Sequence, residues 1–435
     1  MKLIDATFEV HTMISHGVTC PNRDDNNTPK TAKLGEVTRG RGSSQWKGRN
    51  VRLYIRDRAE DKAWRTRDLS VLIAERLQDK DKAENAQFVA NFVAAQIVKK
   101  KEEKKGKSKK SEVPAEEEVD EGTKSQVALF VSDSEVDAVA AIVSKNWDEL
   151  LKLAQEDEKA VAAKDAEKAE KAAKAKEAAK AAKDNGEKRP RRDFSPEEKP
   201  EKTLPSEIEK QLKACFHTDV QQCLELAMFG RTCMEVPDME IDKICRISHA
   251  LTTNPCSVEP DWWVQMDDKA KEASNMGSTE FLHSPTFYHY ATLGMRQLID
   301  NLAPGAAKTG KPASEQVKEL AIKGAVLFVQ ALIFARHQAM QNGTANDDMT
   351  EYVRVIARTG APRNFVRAFD LPAHATDSKN TTEVSIEKIG QFEKRVNRMY
   401  GNDIIFDVTA NMYDDKSLII ADLLAKVNEF LQKAE

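Results

Sequence analysis

Between Lys30 and Arg52 the chain gathers seven basic residues, Lys30, Lys33, Arg39, Arg41, Lys47, Arg49 and Arg52, against the single acid Glu36. Gly35, Gly40 and Gly42 are interleaved with them, and Ser43, Ser44 and Gln45 follow at once. Cationic side chains, exposed backbone N–H groups and short hydroxyl or amide groups are the donors that phosphate oxygens take. Glycines let a backbone approach such a ligand closely. Large apolar residues are few here, so the segment reads as surface rather than core. A solvated basic loop is the plainer alternative.

Other residue sets point to other chemistry and carry it less far. Asp24 with Asp25, and Asp267 with Asp268, are adjacent carboxylate pairs that could hold a divalent metal and hydrolyse RNA. Adjacent aspartates in polar turns more often hydrogen-bond the local backbone. The chain holds no HExxH, no GxxxxGK[ST] phosphate loop and no GxSxG elbow. The six cysteines, Cys20, Cys215, Cys223, Cys233, Cys245 and Cys256, form no CxxC pair. Cys245, His249 and Cys256 would make a zinc site only with a second close ligand pair, which is missing. The expectation is a protein without enzymatic activity, metal or cofactor, its thiols reduced in a cytoplasmic setting.

The elements that position the basic block are read from periodicity. Residues 3–14 alternate as a strand, with Phe8, Val10 and Ile14 against Glu9, His11 and Met13. Val51–Ile55 is either a second strand or the start of a helix. From Thr66 to Val98 the spacing predicts two amphipathic helices broken near Asp79–Ala83. A strand-like VALFV and a helix over Val136–Leu153, capped by Ser134, come next. Lys243–Thr252 and Phe281–Leu293 look extended. Ser314–Arg336 is the most apolar helix, with Ser314 as N-cap. Glu351–Arg358 alternates as a strand, and Ser417–Leu431 is an amphipathic helix. Strands and helices mix without βαβ regularity, so the class is α+β.

At 435 residues the chain can form two or three modules, and its net charge of −4 excludes a globally basic nucleic-acid protein. Charge is segregated instead. Lys99–Lys110 holds eight lysines, Glu112–Glu121 is acidic, and residues 156–184 are almost wholly Ala, Lys, Glu and Asp. None of these can bury a core, so 99–124 and 185–205 read as linkers around a solvent-exposed or fraying helix. The KRPRR run in the second linker reads as solvated, with nucleic-acid contact as the alternative. No apolar run is long enough to span a membrane.

The order of short blocks goes further. N-R-D-D at Asn22–Asp25, then P-K-T-A, G, R-x-R and S-S-Q, resembles the N-terminal signature of the CasC-like, RAMP-type crRNA-binding backbone subunits of type I-E CRISPR Cascade. LELAMFGR at Leu224–Arg231, RISHALTTN at Arg246–Asn254, DWWVQMDD at Asp261–Asp268 and GSTEFLHSPTFYHYA at Gly277–Ala291 resemble later motifs of the same family. The likeness covers most of residues 5–60 and 220–300 and treats 99–205 poorly.

The resemblance implies a right hand. A ferredoxin-like, RRM-like palm comes from 1–58 and 231–435, helical fingers occupy 59–230, and a β-hairpin thumb spans about 252–283. It implies an antiviral defence protein whose copies polymerise along a guide crRNA and present kinked segments to a target DNA strand. Its other partners would be the large subunit, the small subunit, the 5′-handle cap subunit and the crRNA-processing endonuclease, with no membrane. The RNA contacts carried over are Lys30, Arg39, Arg41, Ser43, Ser44, Gln45, Lys47, Arg49, Arg52 and Arg231. The thumb wedge would be Trp262, Trp263, Val264, Met266 and Met276. Trp262 and Trp263 fall on opposite faces of a strand, so Trp262 is either wedge or core. The family pattern breaks at Lys47 and Gly48, at Thr232 and at Met340. A generic or ribosome-associated RNA-binding protein also explains the charge, though not the ordered blocks or the paired tryptophans.

Overall fold

The structure, a computed structural model, describes residues 6–77, 83–97, 128–163, 203–216, 222–232, 239–262, 264–269, 273–276, 280–337 and 341–433. The chain divides into two compact units. The first comprises residues 1–60, 220–230 and 243–435, and the second residues 61–219 with 231–242.

The first unit opens with β1 (Thr7–Ser15), the hairpin β2 (Thr31–Leu34) and β3 (Val37–Gly42), and helix α1 (Ser44–Arg56). The second unit then supplies β4 (Ala63–Thr66), α2 (Leu69–Arg76), α3 (Ala86–Ile97), β5 (Leu129–Ser132), α4 (Asp133–Lys145), helical residues 147–163 (α5) and α6 (Ser206–Ala214). Back in the first unit come α7 (Leu224–Phe229), β6 (Arg246–Ile247) and β7 (Ala250–Thr252). Next are β8 (Glu259–Asp261), β9 (Val264–Met266), β10 (Ala273–Met276), β11 (Glu280–Leu282) and β12 (Thr286–Gly294). The chain continues through α8 (Met295–Leu302), α9 (Pro304–Thr309), α10 (Glu315–Phe334), α11 (Gln341–Thr344) and β13 (Tyr352–Arg358). It closes with α12 (Thr381–Tyr400), β14 (Ile404–Asn411) and α13 (Ile420–Gln432).

One antiparallel sheet organises the first unit, in the order β14-β13-β1-β12-β7-β3-β2, with β6 also on β12. Strand β1 is central, paired with β12 along its length and with β13 on its other side. Its residues are buried on both faces. On one, Phe8 meets Phe430 of α13 edge-on, and α10 packs beside it with Ser314 as its observed N-cap. On the other, Met13, Tyr288, Tyr290, Tyr352 and Ile356 pack with Phe365, Phe369 and Ile389. The polar half of the β1 alternation is therefore not a solvent face. Glu9 accepts from Arg358 Nε at 2.9 Å and from the Arg363 N–H at 3.0 Å, and His11 shares a 2.8 Å hydrogen bond with the Tyr288 hydroxyl. Burial is tolerated because each charge has a partner.

The second unit builds its own core from α2, α3, β5, α4, α5 and α6, with Val89, Val93, Val136, Val139 and Leu150 fully enclosed. The two helices predicted over 66–98 are α2 and α3. The cap of α4 is Ser132 rather than Ser134: its hydroxyl accepts from Glu135 N, and Glu135 Oε2 accepts from Ser132 N in return. Helix α7, expected among the fingers, belongs with the sheet unit because all six of its residues are buried, against α1 and α8. Nearly all of the two expected linkers, and residues 164–184 of the Ala-, Lys- and Glu-rich run, lie outside the described residues. Among the described residues no helix is long and apolar enough to cross a membrane.

Candidate nucleic-acid interface

The basic block is not a loop. Gly35 and Glu36 adopt φ of +58° and +65°, the paired positive values of a tight two-residue hairpin turn. A Cβ on Gly35 would stand 1.8 Å from the Asp370 carbonyl oxygen, so the glycine serves a close approach of chain to chain. Gly42 is likewise covered by the Trp46 ring, 2.7 Å from where its Cβ would be. Strand β3 joins the main sheet through Arg41 opposite Leu251 and Gly42 opposite Ala250. The expectation that the segment stays out of the core is thus corrected. The glycines face other parts of the fold.

Four of the ten expected RNA contacts point inward, which corrects those assignments. Arg39 is fully buried and donates to the carbonyls of Thr252, Thr253 and Phe369, at 3.2, 2.6 and 2.7 Å. Lys47 is buried and donates to Leu332 O at 3.2 Å. Arg52 pairs at 2.9 Å with the fully buried Glu225 of α7. Arg231 lies in the second unit, with both Glu135 oxygens 2.9 Å from Nη1 and with the carbonyls of Met239, Phe130 and Phe216 around it. A guanidinium engaged in this way cannot turn to a phosphate without leaving a buried carboxylate unpaired.

The remaining residues gather at one place. Helix α1 runs straight through Val51–Ile55, and Ser43 caps it by accepting from Trp46 N at 3.2 Å. Ser43 is itself nearly buried, which makes it a support rather than a contact. The helix period puts Lys47, Val51, Arg52 and Ile55 inward and leaves Gln45 and Arg49, one turn apart, exposed. Ser44 N donates to His249 Nδ1 at 3.2 Å, and Arg41 Nη1 lies 3.5 Å from the same nitrogen. His249 therefore ties the end of β3 to the first turn of α1. That turn carries no acid, so its partial positive charge adds to those of Arg41 and Arg49. Lys30 is half-buried in the strand-like approach to β2, bonded through its backbone to Asn22 and Arg41. The sequence reading missed His249 as a member of this surface. Its only signal was the ISHA segment, 205 residues away along the chain.

An RNA-recognition sheet normally stacks bases on exposed aromatics. Here the aromatic face of the sheet is closed, with Tyr288 at 1% exposure beneath Phe365 and Phe369. Phosphate contact along α1 does not need that face.

Strands β8 to β11 form a two-stranded arm. Asp261 pairs with Glu280 and Glu259 with Leu282, and further out Val264 pairs with Met276 and Met266 with Ala273. Trp262, Val264 and Met266 are 66%, 48% and 59% exposed. Trp262 is therefore not core. Trp263 lies outside the described residues, and Met276 is placed by its backbone opposite Val264.

The alternative metal chemistries find no support in the side chains. Asp24 accepts from Asn26 N, Thr28 N and the Thr28 hydroxyl, whose hydrogen bond is the main cause of its lowered pKa. Asp267 accepts from Lys269 N at 2.8 Å. Burial pushes the Cys245 thiol up to about 12, Cys256 sits 3.4 Å from His283, and His249 Nδ1 is already an acceptor. Among the described residues no three such groups converge on a metal position.

Two solved structures share the architecture over nearly the whole length. A chain of a CRISPR RNA-guided surveillance complex in a pre-nicking state superposes with a TM-score of 0.70 at 24% identity, covering 99% of this chain and all of that one. A chain of another CRISPR RNA-guided surveillance complex gives 0.62 at 20% identity, covering 98% and 100%. At these identities the likeness carries the fold. Among curated proteins none matches. The sequence profile of the CT1975-like proteins matches residues 8–432 and bears out the CasC-like resemblance of the motifs, so the chain belongs to the CT1975-like protein family.

Proposed function

We propose that the chain is a non-enzymatic backbone subunit of a type I-E-like CRISPR surveillance complex, repeated along a guide crRNA. The sheet unit is the palm: the order β13-β1-β12-β7, with α1 and α10 packed together as the crossover helices, supports a ferredoxin-like, RRM-like core. Arg41, Ser44, Gln45 and Arg49, held by His249, supply the donors to guide phosphates, independent of sequence. The arm is the thumb. Its exposed Trp262, Val264 and Met266 form the wedge that separates neighbouring nucleotides, trading unstacking for apolar contact with bases.

The observation that carries this reading is the arm, a two-stranded element on which Trp262, Val264 and Met266 are exposed. The structures of similar fold come from RNA-guided surveillance complexes, which supports guide crRNA, a target DNA strand and other Cascade subunits as partners. Purifying the protein with its cellular nucleic acid and sequencing what accompanies it tests the proposal. One discrete repeat-derived RNA class is expected. A mixed cellular RNA population would favour a generic RNA-binding protein instead.

A further inference from the structure

Beneath the first turn of α1 lies a small cavity of about 30 Å³, lined by apolar groups such as Ile14 and Ile333 and by polar ones including Lys47, Asn50, His289 and Asp348. Lys47 and His289 are enclosed there with hydrogen-bonding capacity unused. Lys47 carries three N–H donors and gives one to Leu332 O. His289, 3% exposed, has no hydrogen-bond partner for Nδ1 among the described residues. Asp348, the one carboxylate among the described lining residues, holds its Oδ2 3.1 Å from both His16 Nδ1 and Gly17 N. A buried ammonium is stable only with a counter-charge and filled donors.

We infer that this cavity is a binding site for one monovalent anion of chloride type, held by Lys47 Nζ and an Nδ1–H of His289 as the counter-ion of the buried ammonium. The volume is enough for a single small occupant such as a chloride. A water would satisfy the hydrogen bonds but leave the charge uncompensated. The surroundings agree: burial alone lowers Lys47 to about 8, with no carboxylate offsetting it. His289 stacks on Trp46 at 6.3 Å between ring centroids, so the occupant would brace the helix turn that carries Ser44 and Gln45 outward. This inference stands on the cavity and is independent of the RNA reading.

The test is thermal unfolding of the full chain at fixed ionic strength with gluconate exchanged for bromide, together with anomalous diffraction from crystals grown in bromide. The midpoint should rise by about 2 °C or more in bromide, as expected for a ligand bound only by the folded state. An anomalous peak should lie within hydrogen-bond distance of Lys47 Nζ and His289 Nδ1. In Lys47→Met the bromide response should vanish. If that variant does not fold, the wild-type response and the peak decide the matter. Equal wild-type midpoints in the two salts, or cavity density without anomalous signal, would overturn the assignment in favour of water.

Discussion

Arg52 separates two accounts of the same sequence motif, because composition places it on RNA and the structure places it against Glu225. Replacing it with alanine would strip the 2.9 Å ion pair from a carboxylate with no solvent exposure, joining α1 to α7. Breaking one partner of a buried pair costs about 3–5 kcal/mol. Glu225 keeps further contacts, so the lower end applies, about 3 kcal/mol. For a unit of this size that lowers the thermal midpoint by roughly 6–12 °C. The assay is differential scanning calorimetry of Arg52→Ala beside the double variant Arg52→Leu with Glu225→Leu. The double variant should recover more than half of the loss, since an apolar pair of similar volume leaves no charge stranded. If Arg52→Ala keeps the wild-type midpoint and loses RNA affinity instead, the buried assignment is wrong and the residue faces the ligand.

Acid should weaken the fold. Burial lowers the pKa of His16 and His289 and takes His283 from 6.5 to about 4. The unfolded chain then binds protons that the folded one refuses, so stability falls as pH drops from about 6.5 toward 4. Urea midpoints at pH 7 and pH 5 check this, and a flat response would contradict it. Gly35→Ala should cost at least about 1–2 kcal/mol, because an L residue is strained at φ +58° and its Cβ meets Asp370 O. An unchanged unfolding midpoint would show that the hairpin turn relaxes freely. Trp262→Ala with Val264→Gly should leave the thermal midpoint within a degree or so, since exposed positions contribute little. The same variant should abolish any regular distortion of a bound guide–target duplex seen by chemical probing, and a pattern identical to wild type would remove the wedge from the arm.

The parts of the fold legible in the sequence were those where one physical signal dominated. Ser314 and the long apolar run after it specified α10 to within two residues, and β13 announced itself by the β-branched and aromatic residues of YVRVIAR. The motif blocks placed a hairpin at about 252–283, the span that holds β8 to β11. What stayed hidden depended on partners distant in sequence. Nothing local marks Arg39, Lys47 and Arg52 as interior cations, because their acceptors lie at 252, 253, 369, 332 and 225. Composition reads an arginine as surface, and only tertiary contact shows which arginines are buried and paired. Glu9 and His11 misled in the same way, as polar residues on a strand buried from both sides. His249 was overlooked as a support of the α1 turn because its role exists only once β7 lies beside β3.

The central claim is that the end of β3 with the outer side of α1, and not the whole basic block, holds the guide backbone. The most direct measurement is the salt dependence of single-stranded RNA affinity for Arg41→Ala with Arg49→Ala, set against the wild type. Each lost phosphate contact should reduce the slope of log K against log salt by about 0.7, so the pair should flatten it by about 1.4 and weaken all sequences alike. A slope equal to wild type would contradict the account and move the RNA to another surface.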